Sequence, residues 1–181
     1  ALGRVRSFAG EVVTLKLFED NSLLAELVKT PGNGRVIVVD CGSGDATAQI
    51  AAAHGAEVVR HDWQGHAAQK NWALAELDIT AEWVLFLDAD EYLEPAAATA
   101  IEAALRLPRV DGYYLPRAYV FLGQRLKHAW WYPDYQIRLV RAGRGHFEDR
   151  RVHEHVIVDG SVAALDAAPI VHENLKGLSA F

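Results

Sequence analysis

Three carboxylates follow one another closely at the end of an apolar run, in residues 85–91 (LFLDADE). Carboxylate oxygens are the ligands that Mg²⁺ and Mn²⁺ prefer, and these ions commonly take one or two protein carboxylates and fill their remaining positions with water and substrate phosphates. Asp88 and Asp90 can present their side chains to the same side of an extended turn. The pattern predicts a divalent-cation site, and the alternative is that Asp90 or Glu91 caps the next helix.

A second apolar run ends in an acid and a glycine-rich turn, in residues 38–45 (VVDCGSGD). A strand, an acid and Gly-x-Gly also open the first motif of S-adenosylmethionine methyltransferases. Asp62 follows a further strand about twenty residues later, where nucleoside-binding folds place the acid that holds the ribose hydroxyls. Methyl transfer is therefore one alternative. Another is that Gly42 and Gly44 supply only the backbone freedom of a tight turn.

The elements predicted around these residues alternate between strands and helices. Such an order implies right-handed βαβ units, a mostly parallel sheet and helices on both of its faces. Because ligands lie at the carboxyl ends of parallel strands, residues 40–45 and 88–91 should share one rim. After about residue 110 an antiparallel or mixed extension is expected. The predicted strands are 11–17, 35–40, 56–60, 82–88 and 137–140, and the predicted helices are 21–29, 47–54, 67–77 and 95–105.

Composition and charge narrow the class of protein. A length of 181 residues suits one domain. The net charge of −6 argues against a nucleic-acid partner. Cys41 is the single cysteine, which excludes an internal disulfide and a cysteine-rich zinc site. No apolar run reaches the roughly 18–20 residues of a membrane span, so the expected location is the cytoplasm, with peripheral contact at the inner face of the membrane.

Four blocks of sequence resemble family-2, inverting, GT-A glycosyltransferases. Residues 38–47 resemble the family's "VVDSGSTDxT" turn, and the other blocks agree in the same order. Shorter blocks extend the resemblance, over roughly residues 12–175, to the branch that adds a β-linked glucose to the bacterial lipopolysaccharide core. The resemblance implies a single GT-A domain over 1–181, with a nucleotide-binding half at about 11–107 and an acceptor half at about 108–175. The other main blocks are 63–74 (WQGHAAQKNWAL), 83–91 (WVLFLDADE) and 130–141 (WWYPDYQIRLVR), and the shorter ones lie at 112–117, 121–123 and 152–154.

The resemblance implies a donor pocket for a nucleotide sugar, most simply a UDP-sugar. Asp40 would hydrogen-bond the uracil, and Lys70 would face the nucleotide unless it is a solvated helix residue. Asp88 and Asp90 would hold the ribose and a bridging Mg²⁺ or Mn²⁺. Thr14 is placed in the same pocket, although the asparagine of the family's "TxNE" turn is missing from this strand.

Inversion at a sugar carbon needs one general base for the acceptor hydroxyl, and the metal neutralises the departing diphosphate. Asp134 and Glu154 are the candidates. Asp134 is favoured because it precedes an apolar strand and lies among aromatic residues. Glu154 stands between two histidines. The alternative is that it is an ordinary solvent-facing residue of a strand in which polar and apolar residues alternate. His172 resembles the histidine that completes the metal site in some GT-A enzymes, and its alternative is a structural or exposed side chain.

The acceptor would be a lipopolysaccharide-core or other glycan or lipid-linked group. Arg117, Trp130 and Trp131 are the residues expected to contact it, although tryptophans are buried for packing more often than for ligand stacking. Besides methyl transfer, a third hypothesis remains: a truncated GT-A domain that binds a nucleotide without turnover.

Overall fold

The computed structural model describes residues 35–121, 123–126, 133–150 and 154–173, and the backbone alone of 12–18 and Asn174. The predicted helix at 21–29, Trp130 and Trp131 lie outside these residues, as does the side chain of Thr14. The elements of the first half follow the predicted order of strands and helices, except for a short strand at 91–93 that was not predicted. They are β1 (Val12–Phe18), β2 (Arg35–Asp40), α1 (Thr47–Ala53), β3 (Glu57–Arg60), α2 (His66–Glu76), β4 (Trp83–Asp88), β5 (Glu91–Leu93) and α3 (Pro95–Arg106).

The described part of the second half contains strands joined by turns and loops, and no helix. The extension predicted after residue 110 is confirmed, and its longest strands are β6 and β8. The strand predicted at 137–140 is longer than expected, because β8 already begins at Asp134. The strands are β6 (Gly112–Phe121), β7 (Gln124–Arg125), β8 (Asp134–Arg141), β9 (Gly145–Phe147), β10 (Val156–Val158), β11 (Val162–Ala164) and β12 (Ile170–Asn174).

One mixed sheet joins the two halves. Its first part is parallel and has the order β3-β2-β1-β4. β8 then pairs antiparallel with both β4 and β6. Beyond β6 the sheet continues through β12, which is parallel to β6, to β5, which is antiparallel to β12. β9 and β10 form a separate antiparallel pair.

Alternation along β4 divides the core between the two faces of the sheet. Leu85 and Leu87 pack in the cluster that contains α3, whereas Val84 and Phe86 pack in the cluster that contains α2. Ala51 of α1 packs in a third cluster, on the face that α3 also covers. The helices therefore cover both faces, as predicted. Such a strand, buried on both faces, explains the near-continuous apolar run that precedes Asp88.

Two local features hold α2 in place. The helix begins after Gly65, whose φ of +115° lies in the region that glycine adopts readily. Asn71 then clamps α2 to β9: its Nδ2 donates to the Phe147 carbonyl over 2.8 Å, and its Oδ1 accepts the Phe147 N–H over 2.7 Å. In the part of the chain that is described, no helix has the length and apolar character to cross a membrane.

Candidate active site

Asp40 and Asp88 end two strands that flank β1 on either side. Phe18 of β1 is in register with Asp40, and its neighbour Leu17 is in register with Asp88. The two aspartates therefore lie at the same rim, on strands roughly 10 Å apart across β1. This geometry is the one that the sequence predicted for the donor pocket.

Asp40 organises the glycine-rich turn that follows it. Its carboxylate accepts the N–H of Gly42 over 3.1 Å and the N–H and hydroxyl of Ser43. Gly42 has a φ of +99°, and a Cβ at this position would lie 3.1 Å from the Arg60 guanidinium. Turn geometry and close approach together require glycine here. The predicted contact of Asp40 with uracil stays a prediction.

Lys70 is buried, so the alternative of a solvated helix residue is wrong. The residue is 3% exposed. Its Nζ lies 3.1 Å from Asp88 Oδ1 and 2.9 Å from Glu154 Oε1, and 4.9 Å from the centre of the Phe147 ring. A buried ammonium requires such partners. Lys70 thus connects Asp88, a carboxylate predicted for the donor pocket, with a candidate general base.

Asp88 is held by two cations from different elements. Lys70 of α2 pairs with Oδ1, and Nη2 of Arg138 in β8 donates to Oδ2 over 2.7 Å. Burial by itself would raise the pKa of Asp88, but the charges of Arg138 and Lys70 outweigh burial and hold that pKa well below its usual range. Asp88 is therefore ionised at neutral pH.

Glu91 and Arg138 are the functional candidates that the sequence analysis did not assign. Glu91 is fully buried in β5, and its Oε1 accepts hydrogen bonds from Arg138 over 2.6 Å and from Arg117 over 3.2 Å. It is therefore not a helix cap. The sequence marks Arg138 only as a polar residue within an otherwise apolar stretch of β8, and no local pattern pairs it with Glu91.

Asp134 is saturated with hydrogen bonds. Oδ2 accepts from Arg117 Nη2 over 2.6 Å and from the Tyr119 hydroxyl over 2.8 Å, while Oδ1 accepts from Gln136 Nε2 over 2.8 Å. These bonds lower the pKa of Asp134 despite its partial burial. Burial and the bond to Asp134 raise the pKa of Tyr119 to about 12, so Tyr119 keeps its proton and donates it. Arg117, predicted to contact the acceptor, is thus committed to Asp134 and Glu91.

Glu154 lies just before β10 and is less constrained. Lys70 is its one ion-pair partner within the described chain, and its side chain is 12% exposed. Burial tends to raise the pKa of Glu154, but the hydrogen bond and charge of Lys70 lower it below the ordinary glutamate value. Glu154 and Asp88 therefore share the same ammonium as ion-pair partner.

The residues predicted to bind metal divide into two groups. Asp88 is paired through both of its oxygens, whereas His172 Nδ1 lies 3.5 Å from Asp90 Oδ1 and, although buried, has no hydrogen-bond partner among the described residues. Over the same residues, no group of three or more His, Cys, Asp or Glu is arranged to hold a metal ion. Asp90 with His172 nevertheless fits an ion that takes one or two protein ligands and completes its shell with a substrate diphosphate.

Comparison with known proteins assigns the chain to a protein family. The sequence pattern of glycosyl transferase family 2 matches residues 21–158, which is more than half of the chain. The chain belongs to glycosyl transferase family 2. A family-2 architecture also accounts for the parallel strands that bring Asp40 and Asp88 to one rim.

Solved structures agree with a GT-A fold for this family-2 chain. Residues 1–349 of TarS from S. aureus match with a TM-score of 0.65 and 16% identity, over 90% of this chain and 60% of that one. The same fragment in complex with UDP-GlcNAc matches with a TM-score of 0.65 and 16% identity, over 92% of this chain and 59% of that one. At this identity the likeness establishes the fold alone.

Curated relatives match a shorter part of the family-2 chain. A putative 4-hydroxy-4-methyl-2-oxoglutarate aldolase of Laribacter hongkongensis is 48% identical over 58 residues, which are 32% of this chain and 36% of the relative. The protein of the same description from Pseudomonas syringae pv. tomato is 44% identical over 59 residues, 33% of this chain and 36% of the relative. The chain spans about a third of the length of these relatives, too little to place it in their family.

Proposed function

We propose that the protein transfers a hexose from a UDP-sugar to an acceptor hydroxyl with inversion at the sugar carbon. The observation that carries the proposal is the contact of Lys70 with both Asp88 and Glu154 at the carboxyl edge of a family-2 sheet. The structure of TarS in complex with UDP-GlcNAc supports a nucleotide-sugar donor for this fold. A methyltransferase would leave the acidic end of β4 unexplained.

The donor would lie along the rim from Asp40 to Asp88. Asp40 is 5% exposed and already fixes the turn beside it. The uracil of the donor would therefore bind to groups that are already in position. Lys70 places a positive charge next to the position expected for the diphosphate. Thr14, in the central strand β1, remains a proposed member of the pocket.

Asp90 and His172 would hold the Mg²⁺ or Mn²⁺ of the donor complex. A bound divalent ion neutralises negative charge on the departing diphosphate. Asp90 suits this role because it lies 3.5 Å from His172 Nδ1, and burial and the neighbouring carboxylates raise its pKa despite the charge of His172, a cost that a bound cation would offset. Asp88, with both oxygens paired, would bind the ribose rather than the ion.

We propose Glu154 as the general base, in place of the preference for Asp134 that its sequence surroundings suggest. Three side chains donate hydrogen bonds to Asp134, whereas Lys70 is the one side chain among the described residues that donates to Glu154. Glu154 would take the proton of the acceptor hydroxyl. The acceptor oxygen then bonds to the anomeric carbon, and the bond from that carbon to the phosphate oxygen breaks with its electron pair leaving on the diphosphate.

The acceptor is proposed to be a glycan or lipid-linked group of the lipopolysaccharide core, with the enzyme in the cytoplasm at the inner face of the membrane. The blocks of sequence at 112–117, 130–141 and 152–154 support this finer assignment. Trp130 and Trp131 remain the proposed sugar-stacking residues.

Calorimetry on the full chain tests the proposed function. UDP should bind in the presence of Mn²⁺, and S-adenosylmethionine should not. Incubation with UDP-glucose and a lipopolysaccharide-core acceptor should then release UDP. Binding of S-adenosylmethionine without UDP would overturn the proposal, and UDP binding without any transfer would favour a nucleotide-binding domain that lacks turnover.

A further inference from the structure

A β-bulge brings a buried arginine to the end of β4. Leu139 of β8 pairs with Tyr113, and Ile137 pairs with Tyr114, so that Arg138 between them has no partner on β6. Bulges redirect side chains and are common beside active sites. Here Leu139 keeps its place in the core, while Arg138, only 6% exposed, reaches the carboxylate at the end of β4.

One nitrogen of Arg138 contacts two carboxylates. Nη2 donates to Asp88 Oδ2 over 2.7 Å and to Glu91 Oε1 over 2.6 Å. The other oxygen of Glu91 accepts the backbone N–H of Asp88 over 3.1 Å. Glu91 therefore holds both the backbone of Asp88 and the guanidinium that pairs with its side chain.

The orientation of the Asp88 carboxylate is fixed from two sides. Lys70 holds Oδ1 and Arg138 holds Oδ2, so the carboxylate cannot rotate without losing a charge-assisted hydrogen bond. The Asp88 side chain is still 32% exposed. It can therefore meet a ligand at the rim of the sheet while Lys70 and Arg138 set its direction.

This arrangement is not the one that stability alone favours. Arg138 Nε is buried without a hydrogen-bond partner among the described residues, and an unpaired buried donor is costly. Buried ion pairs can often be replaced by apolar side chains without loss of stability. A charge kept at such a cost beside the rim that holds Asp88 is a candidate for a role in ligand binding.

We propose that Arg138, anchored by Glu91, is a positioning residue that sets the direction in which Asp88 presents its carboxylate to the nucleotide donor. This inference rests on the proposed function. Arg138 acts through Asp88 and is not itself expected to touch the donor.

The test measures UDP affinity in the presence of Mn²⁺ for the full chain and for Arg138→Met and Arg138→Lys. Arg138→Met should weaken binding by about tenfold or more, the effect of losing a charge-assisted bond. Arg138→Lys keeps the buried charge, and should fold and bind with intermediate affinity. Arg35→Met is the matched control, because Arg35 pairs with Glu57 at the opposite end of β2 and is 36% exposed; its affinity should equal that of the wild type.

A purely structural role predicts a different result. Arg138→Met would then have a lower melting temperature, but its folded fraction would bind UDP as tightly as the wild type, which overturns the proposal. Millimolar guanidinium should restore UDP affinity to Arg138→Ala if positioning is correct, and it should have no effect on Arg35→Ala.

A crystal structure of Arg138→Met separates failure of this inference from failure of the proposed function. If the wild type does not bind UDP, the proposed function is wrong. The positioning role is then judged by comparing the orientation of the Asp88 carboxylate in Arg138→Met with that in the wild type. A rotated carboxylate supports positioning, and an unmoved one overturns it. If Arg138→Met does not fold, the same comparison is made with Arg138→Lys.

Discussion

Lys70 Nζ and Glu154 Oε1 lie 2.9 Å apart, although the two residues are 84 positions apart in the chain. The same ammonium pairs with Asp88. Lys70 therefore sets the electrostatics of the proposed donor pocket and of the proposed base together.

Lys70→Met should lower the free energy of unfolding by roughly 3 kcal/mol, the lower end for a broken buried pair because Asp88 is partly exposed. The substitution leaves two carboxylates without their common cation. UDP affinity should fall as well. Urea denaturation and calorimetry measure the two effects, and Arg35→Met again serves as the control for loss of an exposed ion pair. Equal stability of Lys70→Met and the wild type would argue against the pairing described.

Glu154→Gln should reduce hexose transfer by ~10²–10⁴-fold, the usual contribution of a general base. UDP affinity should change little, since the base acts on the acceptor. Asp134→Asn should reduce transfer less, because Asp134 is saturated by Arg117, Tyr119 and Gln136. Initial rates with UDP-glucose check both variants, and the opposite ranking would assign the base to Asp134.

Asp90→Asn should remove the dependence of UDP binding on a divalent cation. The wild type should bind UDP much more weakly in excess chelator, since the diphosphate then meets the acidic rim without neutralisation. Asp45→Asn is a suitable control, because Asp45 bonds Thr47 at the start of α1. UDP binding by the wild type that is unaffected by chelator would contradict the metal role.

Acidification should destabilise the protein. The pKa values of Asp134 and Glu154 are lowered by their partners, so the stability they contribute is present above the ordinary carboxyl pKa of about 4 and is lost as pH falls through the lowered values. The free energy of unfolding should therefore decline from pH 5 downward. Asp134→Asn should flatten that decline, and an unchanged slope in this variant would show that its bonds to Arg117 and Tyr119 contribute no pH dependence.

Asn71→Ala should cost about 1–3 kcal/mol, because Phe147 is buried and would keep an unpaired backbone N–H and carbonyl. Asn71→Asp should also destabilise, since a carboxylate cannot donate to the carbonyl. Thermal unfolding checks both variants. Because Phe147 lies against Lys70, the Ala variant should weaken UDP binding too, and a fully native affinity would show that the clamp is not needed for the site.

The sequence predicted the strands and the shared rim because these depend on local patterns. Apolar runs ending at Asp40 and Asp88 specify parallel strands whose ends carry acids. The partnership of Arg138 with Glu91 could not be predicted in this way, because it depends on the pairing of β8 with β6 and on a bulge at a single residue. The choice between Asp134 and Glu154 likewise depended on contacts with Arg117 and Lys70, which lie far away in the sequence.

The antiparallel pairing of β4 with β8 also has a kinetic consequence. Trp83 is in register with Arg141, so this pairing closes a long loop of chain. Such non-local pairing carries a high loop-closure cost and slows folding. A nascent chain that has emerged only as far as β5 holds the parallel strands and Asp88 but has no Arg138 to fix it. Full donor affinity in refolding should therefore return only after β8 has paired with β4.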